Sequence, residues 1–198
     1  MTKTILTISI MFFYASILEA EEPVIGGPCQ GCELVFVDMP NRLKSHSKIT
    51  PVDEKGEKLF VKGIVYKMDK TPAVGIIIYA YQTDAEGQYP KGAVAHGNLR
   101  GWAITDAKGK YSFETIRPKS YIKSDIPQHI HMHVVEPKKG TYYIDDITFT
   151  DDPFLTKEYQ NKRPCRGGCG VTSPKKNNLG SWYINRDIFL GKAIPNYK

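Results

Sequence analysis

The amino-acid sequence predicts an all-β fold, an antiparallel β-sandwich with little helix. Short segments rich in β-branched and aromatic residues recur along the chain, some apolar throughout and some alternating between apolar and polar. Turn sequences that end in glycine, at residues 84–87 and 106–109, stand between them. Helical periodicity is almost absent, and frequent turns between short strands are typical of a sandwich.

The predicted strands begin at residue 59, where a polar segment ends. Residues 59–66 form the first strand, and residues 74–81 form the second, which is apolar on both faces and is therefore expected at the centre of a sheet. A short helix is expected near residues 153–162, and the basic segment 163–176 is expected to be a loop. The remaining predicted strands cover residues 101–104, 110–116, 129–135, 142–144, 147–149 and 184–190.

Length and composition favour one ordinary globular domain. The chain has 198 residues, of which 41% are hydrophobic and 24% charged, so it can bury a core without depending on disulfides. The formal net charge is +6, but the basic residues are spread along the chain and no nucleic-acid-binding motif is present. We therefore expect no nucleic-acid partner, and we assign residues 59–198 to one β-sandwich domain with a basic C-terminal loop.

The N-terminus has the pattern of a secretory signal peptide. Lys3 precedes an apolar run over residues 5–15, and small residues follow before Glu21. The run is shorter than the roughly 20 apolar residues that a membrane span needs. We predict a signal peptide at residues 1–20, an N-terminal arm with a Cys-x-x-Cys motif at 21–58, and export to a periplasm or out of the cell.

Four cysteines stand in two closely spaced pairs, Cys29 with Cys32 and Cys165 with Cys169. Four cysteines allow three disulfide pairings, and the sequence does not choose among them. The spacing also resembles that of a structural zinc site. Because an exported protein meets an oxidising environment, disulfides are favoured over zinc.

Candidate metal ligands lie on the predicted strand 129–135. Residues i and i+2 of a strand point to the same face, so His129 and His131 can hold one metal, and His133 shares their face. A zinc or copper site of these three histidines is one interpretation, and polar side chains on an edge strand are another. His46 and His96 lack such a context and are expected to be structural or surface residues.

Several sequence blocks, through their order and spacing, resemble the intradiol ring-cleavage dioxygenase family. The blocks are residues 81–89, 100–102 with Thr105 and Asp106, 109–118, the His-Ile-His segment, and 142–146 with 152–153. Together they extend over roughly residues 59–155. The Gly-Pro-Cys-x-Gly-Cys-Glu segment and the C-terminal segments 186–188 and 194–197 are similar to a short, exported branch of that family.

The resemblance implies a non-haem Fe(III) centre with two tyrosine and two histidine ligands. Tyr89 and His129 match the family's equatorial ligands, and Tyr121 and His131 match its axial ligands. Phenolates are hard anionic donors that suit trivalent iron, and a bound metal deprotonates them in spite of a free pKa of about 10. The implied reaction cleaves a catechol-type ring with O2 to a muconate-type diacid, and Tyr121 takes one substrate proton.

Two positions depart from the family pattern. Ile126 stands where the family has an arginine that stabilises bound substrate, and Asp146 stands where it has a glutamine. Arg100 and Arg117 are assigned to catalysis as candidates for the missing positive charge, with Lys123 as a third candidate. A non-catalytic sandwich that binds a small aromatic or a polymer is the alternative. The family's long N-terminal helical region has no counterpart in this sequence, so we expect a monomer.

Overall fold

The computed structural model describes residues 24–198, and the predicted signal peptide lies outside these described residues. The predicted all-β character is confirmed, because the regular structure is almost entirely strand, with one 3₁₀ turn (Cys32–Phe36) and one helix, α1 (Lys157–Asn161). Within residues 24–198, no helix combines the length and the apolar character that crossing a bilayer requires. The strands are β1 (His46–Lys48), β2 (Lys58–Tyr66), β3 (Ile77–Gln82), β4 (Arg100–Ile104), β5 (Lys110–Ile116), β6 (His129–Glu136), β7 (Gly140–Phe149), β8 (Val171–Thr172), β9 (Lys175–Lys176), β10 (Trp182–Asn185) and β11 (Ile188–Phe189).

The strands form two sheets whose order differs from the chain order. The first sheet runs β1-β5-β2-β10-β9, with β11 also paired to β2, and the second sheet runs β4-β3-β6-β7-β8. The pairs β2–β5, β3–β4, β3–β6 and β6–β7 are antiparallel, which confirms the predicted antiparallel body. The parallel pairs β1–β5, β10–β2, β11–β2 and β7–β8 attach the arm and the C-terminal segments to this body.

Alternating side chains from both sheets form the core between them. In β2, Leu59 and Val61 are buried whereas Lys58 and Lys62 are exposed, as expected for a strand with one face inward. Each such buried aliphatic side chain contributes about 1.5–3 kcal/mol through the hydrophobic effect. The second sheet contributes Ile78, Ala80, Ile130, Met132, Val134 and Ile144 to the same core. Because alternate residues of β6 face the core, its histidines lie on the outer face of the second sheet.

The N-terminal arm covers this outer face. Val35 from the 3₁₀ turn is buried against Tyr79 of β3 and Trp102 of β4. The indole Nε1 of Trp102 donates a hydrogen bond to the carbonyl oxygen of Val35 at 2.7 Å, which ties the arm to the sheet. The covering arm explains why β3 is apolar on both faces, and its place between β4 and β6 confirms the predicted central position.

Two predicted strand divisions are wrong. Residues 142–144 and 147–149 belong to one strand, β7, because the polar residues between them lie in a bulge opposite β6 instead of in a turn. Residues 184–190 contain parts of two strands, β10 and β11, which are separated near Arg186. The Arg186 carbonyl oxygen lies only 2.0 Å from where a Cβ on Gly63 would be, so this close backbone approach requires glycine.

Both disulfides close short local loops. Cys29 pairs with Cys32, and Cys165 pairs with Cys169. This selects one of the three possible pairings and favours disulfides, as the sequence predicted. A zinc site made of the four thiolates is contradicted, because no cysteine in the described residues is free.

Candidate metal centre

The four side chains predicted as metal ligands converge on one point. The phenol oxygen of Tyr89 lies 2.6 Å from that of Tyr121 and 3.0 Å from Nε2 of His131. The Tyr121 oxygen lies 3.0 Å from Nε2 of His129 and 3.1 Å from Nε2 of His131. The two Nε2 atoms are 3.1 Å apart. Two oxygens and two nitrogens, brought together from three parts of the chain, therefore surround a common centre.

The histidines come from a strand and the tyrosines from two loops. His129 and His131 alternate along β6 and point to the outer face of the second sheet. Tyr89 follows β3, and Tyr121 follows β5 of the opposite sheet. The site therefore exists only where these two loops meet the start of β6.

The loops that carry the tyrosines are bonded to each other. The hydroxyl of Thr83 donates to the carbonyl oxygen of Lys119 at 2.7 Å, and the amide of Lys119 donates to the carbonyl oxygen of Asp84 at 3.1 Å. Gly87 has a positive φ of 82°, and a Cβ there would lie 2.2 Å from the carbonyl oxygen of Ser120. Only glycine allows this backbone conformation and this close approach.

Hydrogen bonds on the far side of each imidazole determine its tautomer. Nδ1 of His129 donates to the carbonyl oxygen of Pro127 at 2.7 Å, and Nδ1 of His131 donates to a carboxylate oxygen of Asp146 at 3.1 Å. Both Nε2 atoms therefore carry lone pairs, and these lone pairs face each other across 3.1 Å. Such an arrangement is typical of metal-ligating histidines, whose other nitrogen bonds to a carbonyl or carboxylate.

The spacing of the donors fits a single metal ion. Nitrogen and oxygen ligands about 2.0–2.2 Å from a metal lie roughly 2.8–3.6 Å from one another in tetrahedral arrangements or at neighbouring octahedral positions. Four donor separations, at 3.0–3.1 Å, agree with this spacing. The separation of 2.6 Å between the two phenol oxygens is slightly shorter, as expected for an O–H···O hydrogen bond. The residues present therefore fit a metal, and the donor set, with its two phenols, fits a hard trivalent ion.

Burial keeps Tyr89, Tyr121 and His129 neutral in the protein alone. Burial, followed by the hydrogen bond to Tyr121, raises the pKa of Tyr89 far above its ordinary value. Burial also raises the pKa of Tyr121, although its hydrogen bond with Tyr89 acts in the opposite direction. Burial lowers the pKa of His129, so its imidazole is held neutral. Only a strongly charged cation would convert the two phenols to phenolates.

Asp146 supports the centre from outside. The bulge between β6 and β7 brings this carboxylate, whose side chain is 15% exposed, against His131. Burial alone would raise the pKa of Asp146, but its hydrogen bond to His131, its electrostatic interaction with the two imidazoles and the nearby Arg163 guanidinium outweigh burial and keep the pKa below its ordinary value. Nη1 of Arg163 lies 3.6 Å from the carboxylate. From the sequence, Asp146 stands out only as a departure from glutamine, and Arg163 does not stand out because it lies in no motif.

A cleft on the outer face of the second sheet leads to the centre. Tyr89, Tyr121 and His131 line it together with Tyr81, His96 and arm residues 30, 31, 33 and 34. The Tyr81 ring stacks on His96 at 3.8 Å and on His131 at 4.5 Å between ring centroids. His96 was predicted to be structural or on the surface; it is buried and bonded to the Tyr79 hydroxyl at 3.0 Å, and it forms a wall of this cleft.

The two arginines predicted to be catalytic make other contacts. Nη2 of Arg100 binds the carboxylate of Asp38 at 2.7 Å, and its guanidinium lies over the Trp102 ring. Both terminal nitrogens of Arg117 bind the carboxylate of Asp151, at 2.6 and 2.8 Å. These contacts attach loops to strands. Neither arginine lines the cleft, so the structure gives no support to the predicted catalytic role.

The other candidates for positive charge or metal binding also lie outside the donor set. Ile126 is 41% exposed and Lys123 is exposed, both on the loop that follows Tyr121. His133 is only 3% exposed, and its nearest ring neighbours are Tyr79, Tyr81 and His96. The donors that converge with His129 and His131 are thus tyrosines, which speaks against a zinc or copper site of three histidines.

Known proteins with similar sequences are dioxygenases. The family model described as Dioxygenase matches residues 35–162. Hydroxyquinol 1,2-dioxygenase from Rhizobium sp. is 30% identical over 125 residues, which is 54% of this chain and 42% of that protein. Catechol 1,2-dioxygenase from Candida albicans is 34% identical over 138 residues, which is 60% of this chain and 44% of that protein. The chain therefore spans less than half the length of these relatives.

A solved structure has the same fold. It is the dioxygenase domain of a dioxygenase and carbohydrate-binding protein fusion from Streptomyces sp. SirexAA-E, which superposes with a TM-score of 0.60 at 19% identity. The match covers 77% of this chain and 91% of that domain. At this identity, the likeness establishes a shared architecture of two packed sheets.

Proposed function

Because the chain belongs to the intradiol ring-cleavage dioxygenase family, we propose that it is a non-haem Fe(III) enzyme that cleaves catechol-type rings with O2 to muconate-type diacids. The observation that carries this proposal is the convergence of two phenol oxygens and two imidazole nitrogens, each of which lies within 3.1 Å of at least two of the others. We assign Tyr89, Tyr121, His129 and His131 as the iron ligands.

The donor chemistry favours ferric iron over zinc or copper. Two phenolates bring two negative charges, so a trivalent ion leaves the centre with a charge near +1, whereas a divalent ion would leave it neutral. Oxygen anions are hard ligands, whereas the softer metals are selected by sulfur and by sets of imidazoles. Bound ferric iron would supply a Lewis acid for both oxygens of a catechol and draw electron density from its ring.

The protein's own groups hold that centre and manage a proton. Asp146 and the Pro127 carbonyl keep the two imidazoles in the tautomer and orientation that ligation needs. Tyr121 faces the cleft, and its raised pKa favours the protonated phenol. In the phenolate form that a bound metal would produce, Tyr121 is therefore a suitable acceptor for a proton from a substrate hydroxyl, as the family resemblance implies.

The cleft fits a flat aromatic substrate. Leu34 of the arm and the ring of Tyr81 offer apolar surface, and Glu33 provides a polar group nearby. The arm forms one wall of this cleft. The residue at the position of the family arginine, Ile126, carries no charge, so we expect slower turnover than in relatives that have it. Loss of one charge-stabilising donor can reduce a rate about 100-fold.

We also propose that the protein is exported through the signal peptide at residues 1–20. The two disulfides of the arm and the C-terminal loop support this proposal, because such bonds persist in oxidising compartments. A fusion of residues 1–23 to a reporter that is active only outside the cytoplasm tests it, and a reporter that stays inactive would contradict it.

The visible spectrum of the iron-loaded protein tests the proposed activity. Phenolate ligands give ferric iron a strong visible charge-transfer band, so a band should appear on loading, shift when catechol is added under air, and recover as oxygen is consumed. Tyr89→Phe should weaken the band and reduce iron affinity. Tyr183→Phe is the matched control, because Tyr183 is a half-exposed tyrosine on β10 of the other sheet.

Each outcome has a separate meaning. A band that shifts and stays shifted, without oxygen uptake, would favour binding of an aromatic ligand without cleavage. Absence of the band in folded protein offered ferric iron would refute the iron centre. An equal loss of the band in both tyrosine variants would refute the assignment of Tyr89.

A further inference from the structure

His133 is a buried histidine without hydrogen-bond partners. Its side chain is 3% exposed, and neither Nδ1 nor Nε2 has a hydrogen-bond partner within the described residues. In contrast, Nδ1 of His96, His129 and His131 is bonded in each case. Because buried polar atoms are almost always paired, two unpaired nitrogens on one buried ring call for an explanation such as an ion or a redox role.

The neighbours of His133 are sulfur atoms. A ring nitrogen of His133 and the Sγ atoms of Cys29 and Cys32 all lie within 4.8 Å of one another. Gly31 lies between the two cysteines and has a positive φ of 83°. It packs against His96, because a Cβ on Gly31 would lie 2.6 Å from Nε2 of His96. The arm thus brings the Cys-x-x-Cys loop down onto the outer face of the second sheet directly beside the unpaired imidazole.

This cluster shares no residue with the iron centre, although His131 and Asp146 line the same second cleft as His133. None of the four proposed iron ligands belongs to it. His133 lines a second cleft, whose walls include Gln30, Tyr143 and Arg163. The Cys29–Cys32 disulfide is half-buried, so a small thiol can reach it.

We propose that Cys29, Cys32 and His133 form a second metal site, for Zn²⁺, that opens when the disulfide is reduced. A Cys-x-x-Cys spacing is that of zinc-binding loops, and two cysteines with one histidine make a three-ligand site whose fourth position is left to water. A thiol reductant supplies two electrons and two protons, the sulfur–sulfur bond breaks, and the reductant leaves as its own disulfide. Zn²⁺ then displaces the two thiol protons, and a lone pair of His133 completes the protein ligands.

The second disulfide provides an internal control. Cys165 and Cys169 have nearly the same sequence separation, but within residues 24–198 they are not part of any cluster of three histidine, cysteine or carboxylate ligands. Reduction of both disulfides therefore generates four thiols, of which only the pair in the arm has a histidine ready as a third ligand.

Cobalt titration of the reduced, iron-loaded protein tests this proposal, because Co²⁺ replaces Zn²⁺ and shows a thiolate charge-transfer band only when sulfur binds it. The protein is reduced with dithiothreitol, freed of it anaerobically, and titrated. We expect one equivalent of cobalt with a thiolate band, displaced by Zn²⁺, in native protein and in Cys165→Ser/Cys169→Ser. We expect no band before reduction and none in Cys29→Ser/Cys32→Ser.

The role of His133 is tested by affinity. His133→Asn should weaken cobalt binding at least about tenfold, since loss even of a group that supports a ligand costs about 10- to 100-fold. Alkylation tests the reduced native protein without any substitution. With zinc present, Cys29 and Cys32 should be protected from the alkylating reagent, while Cys165 and Cys169 should react. A thiolate band that survives in Cys29→Ser/Cys32→Ser, or equal alkylation of all four thiols with zinc present, would overturn the proposal. These readouts depend on sulfur alone, so they stand or fall independently of the dioxygenase activity.

Discussion

Replacing Gly87 by alanine is expected to separate the loops that carry Tyr89 and Tyr121. The new Cβ would lie 2.2 Å from the carbonyl oxygen of Ser120, which is backbone and cannot rotate away. To reach an ordinary van der Waals distance, the two loops would have to move apart by about 1 Å. In the native protein the two phenol oxygens are 2.6 Å apart, so a shift of this size is enough to disrupt a shared metal.

The matched control is Gly75→Ala. Gly75 has a similar φ of 76° against 82° for Gly87, but a Cβ there meets no atom within 4 Å. An alanine in this left-handed conformation costs roughly 1–2 kcal/mol of stability at either position. The two variants therefore share the backbone cost and differ in the contact with Ser120.

The assays are thermal unfolding, iron affinity by competition with a chelator, and oxygen uptake with catechol. Both variants should lose some stability. Gly87→Ala alone should bind iron more weakly and turn over about 100-fold more slowly, which is the typical effect of a 1 Å misplacement in an active site. Equal iron affinity and turnover in the two variants would refute the reasoning that this loop contact sets the geometry of the centre.

Three further changes test other features. Asp146→Asn keeps the shape of the side chain but removes the charge behind His131, so iron affinity should fall about 10- to 100-fold in a chelator competition, and an unchanged affinity would contradict its supporting role. Burial, then the charges of neighbouring residues, lowers the pKa of His96 to about 4, below the value of about 6.5 expected in the unfolded chain. The unfolded chain therefore binds more protons between these pH values, so stability should fall on acidification from about pH 6.5 to about pH 4. Urea unfolding across this range should show a smaller loss of unfolding free energy in His96→Gln than in the native protein. Equal losses in the two proteins would contradict the contribution of His96. Arg117→Lys loses the two-pronged contact with Asp151 and should lower the free energy of unfolding by about 1 kcal/mol with a nearly unchanged kcat, whereas a large fall in kcat would restore the catalytic role predicted from the sequence.

The histidine pair shows how far local periodicity carries a prediction. The alternation of a strand places His129 and His131 on one face whatever sheet the strand joins, and the structure has them there with Nε2 atoms 3.1 Å apart. The same rule places His133 on that face as well. Alternation alone could not tell that the next donors would be tyrosines from loops and that His133 would face a disulfide.

The arginines show what motif reading leaves open. Arg100 and Arg117 lie within blocks that resemble the family, and the sequence suggested them as replacements for a missing charge. In the fold, Asp38 of the arm and Asp151 after β7 neutralise them, at sequence separations of 62 and 34 residues. A partner that distant is chosen by how the chain packs, and no local pattern reports it.

The sequence by itself determined the class of fold, the position of most strands, the cysteine inventory and the four candidate ligands, because these depend on local alternation, turn chemistry and a resemblance spread over several blocks. Only the tertiary structure decided that the arm covers the outer face of the second sheet, that Asp146 lies behind His131, and that the cysteine loop lies beside His133. These features depend on strand order, on one bulge and on close backbone contacts at glycine. They arise from contacts between residues far apart in the chain, whose geometry exists only after the two sheets and the arm have packed together.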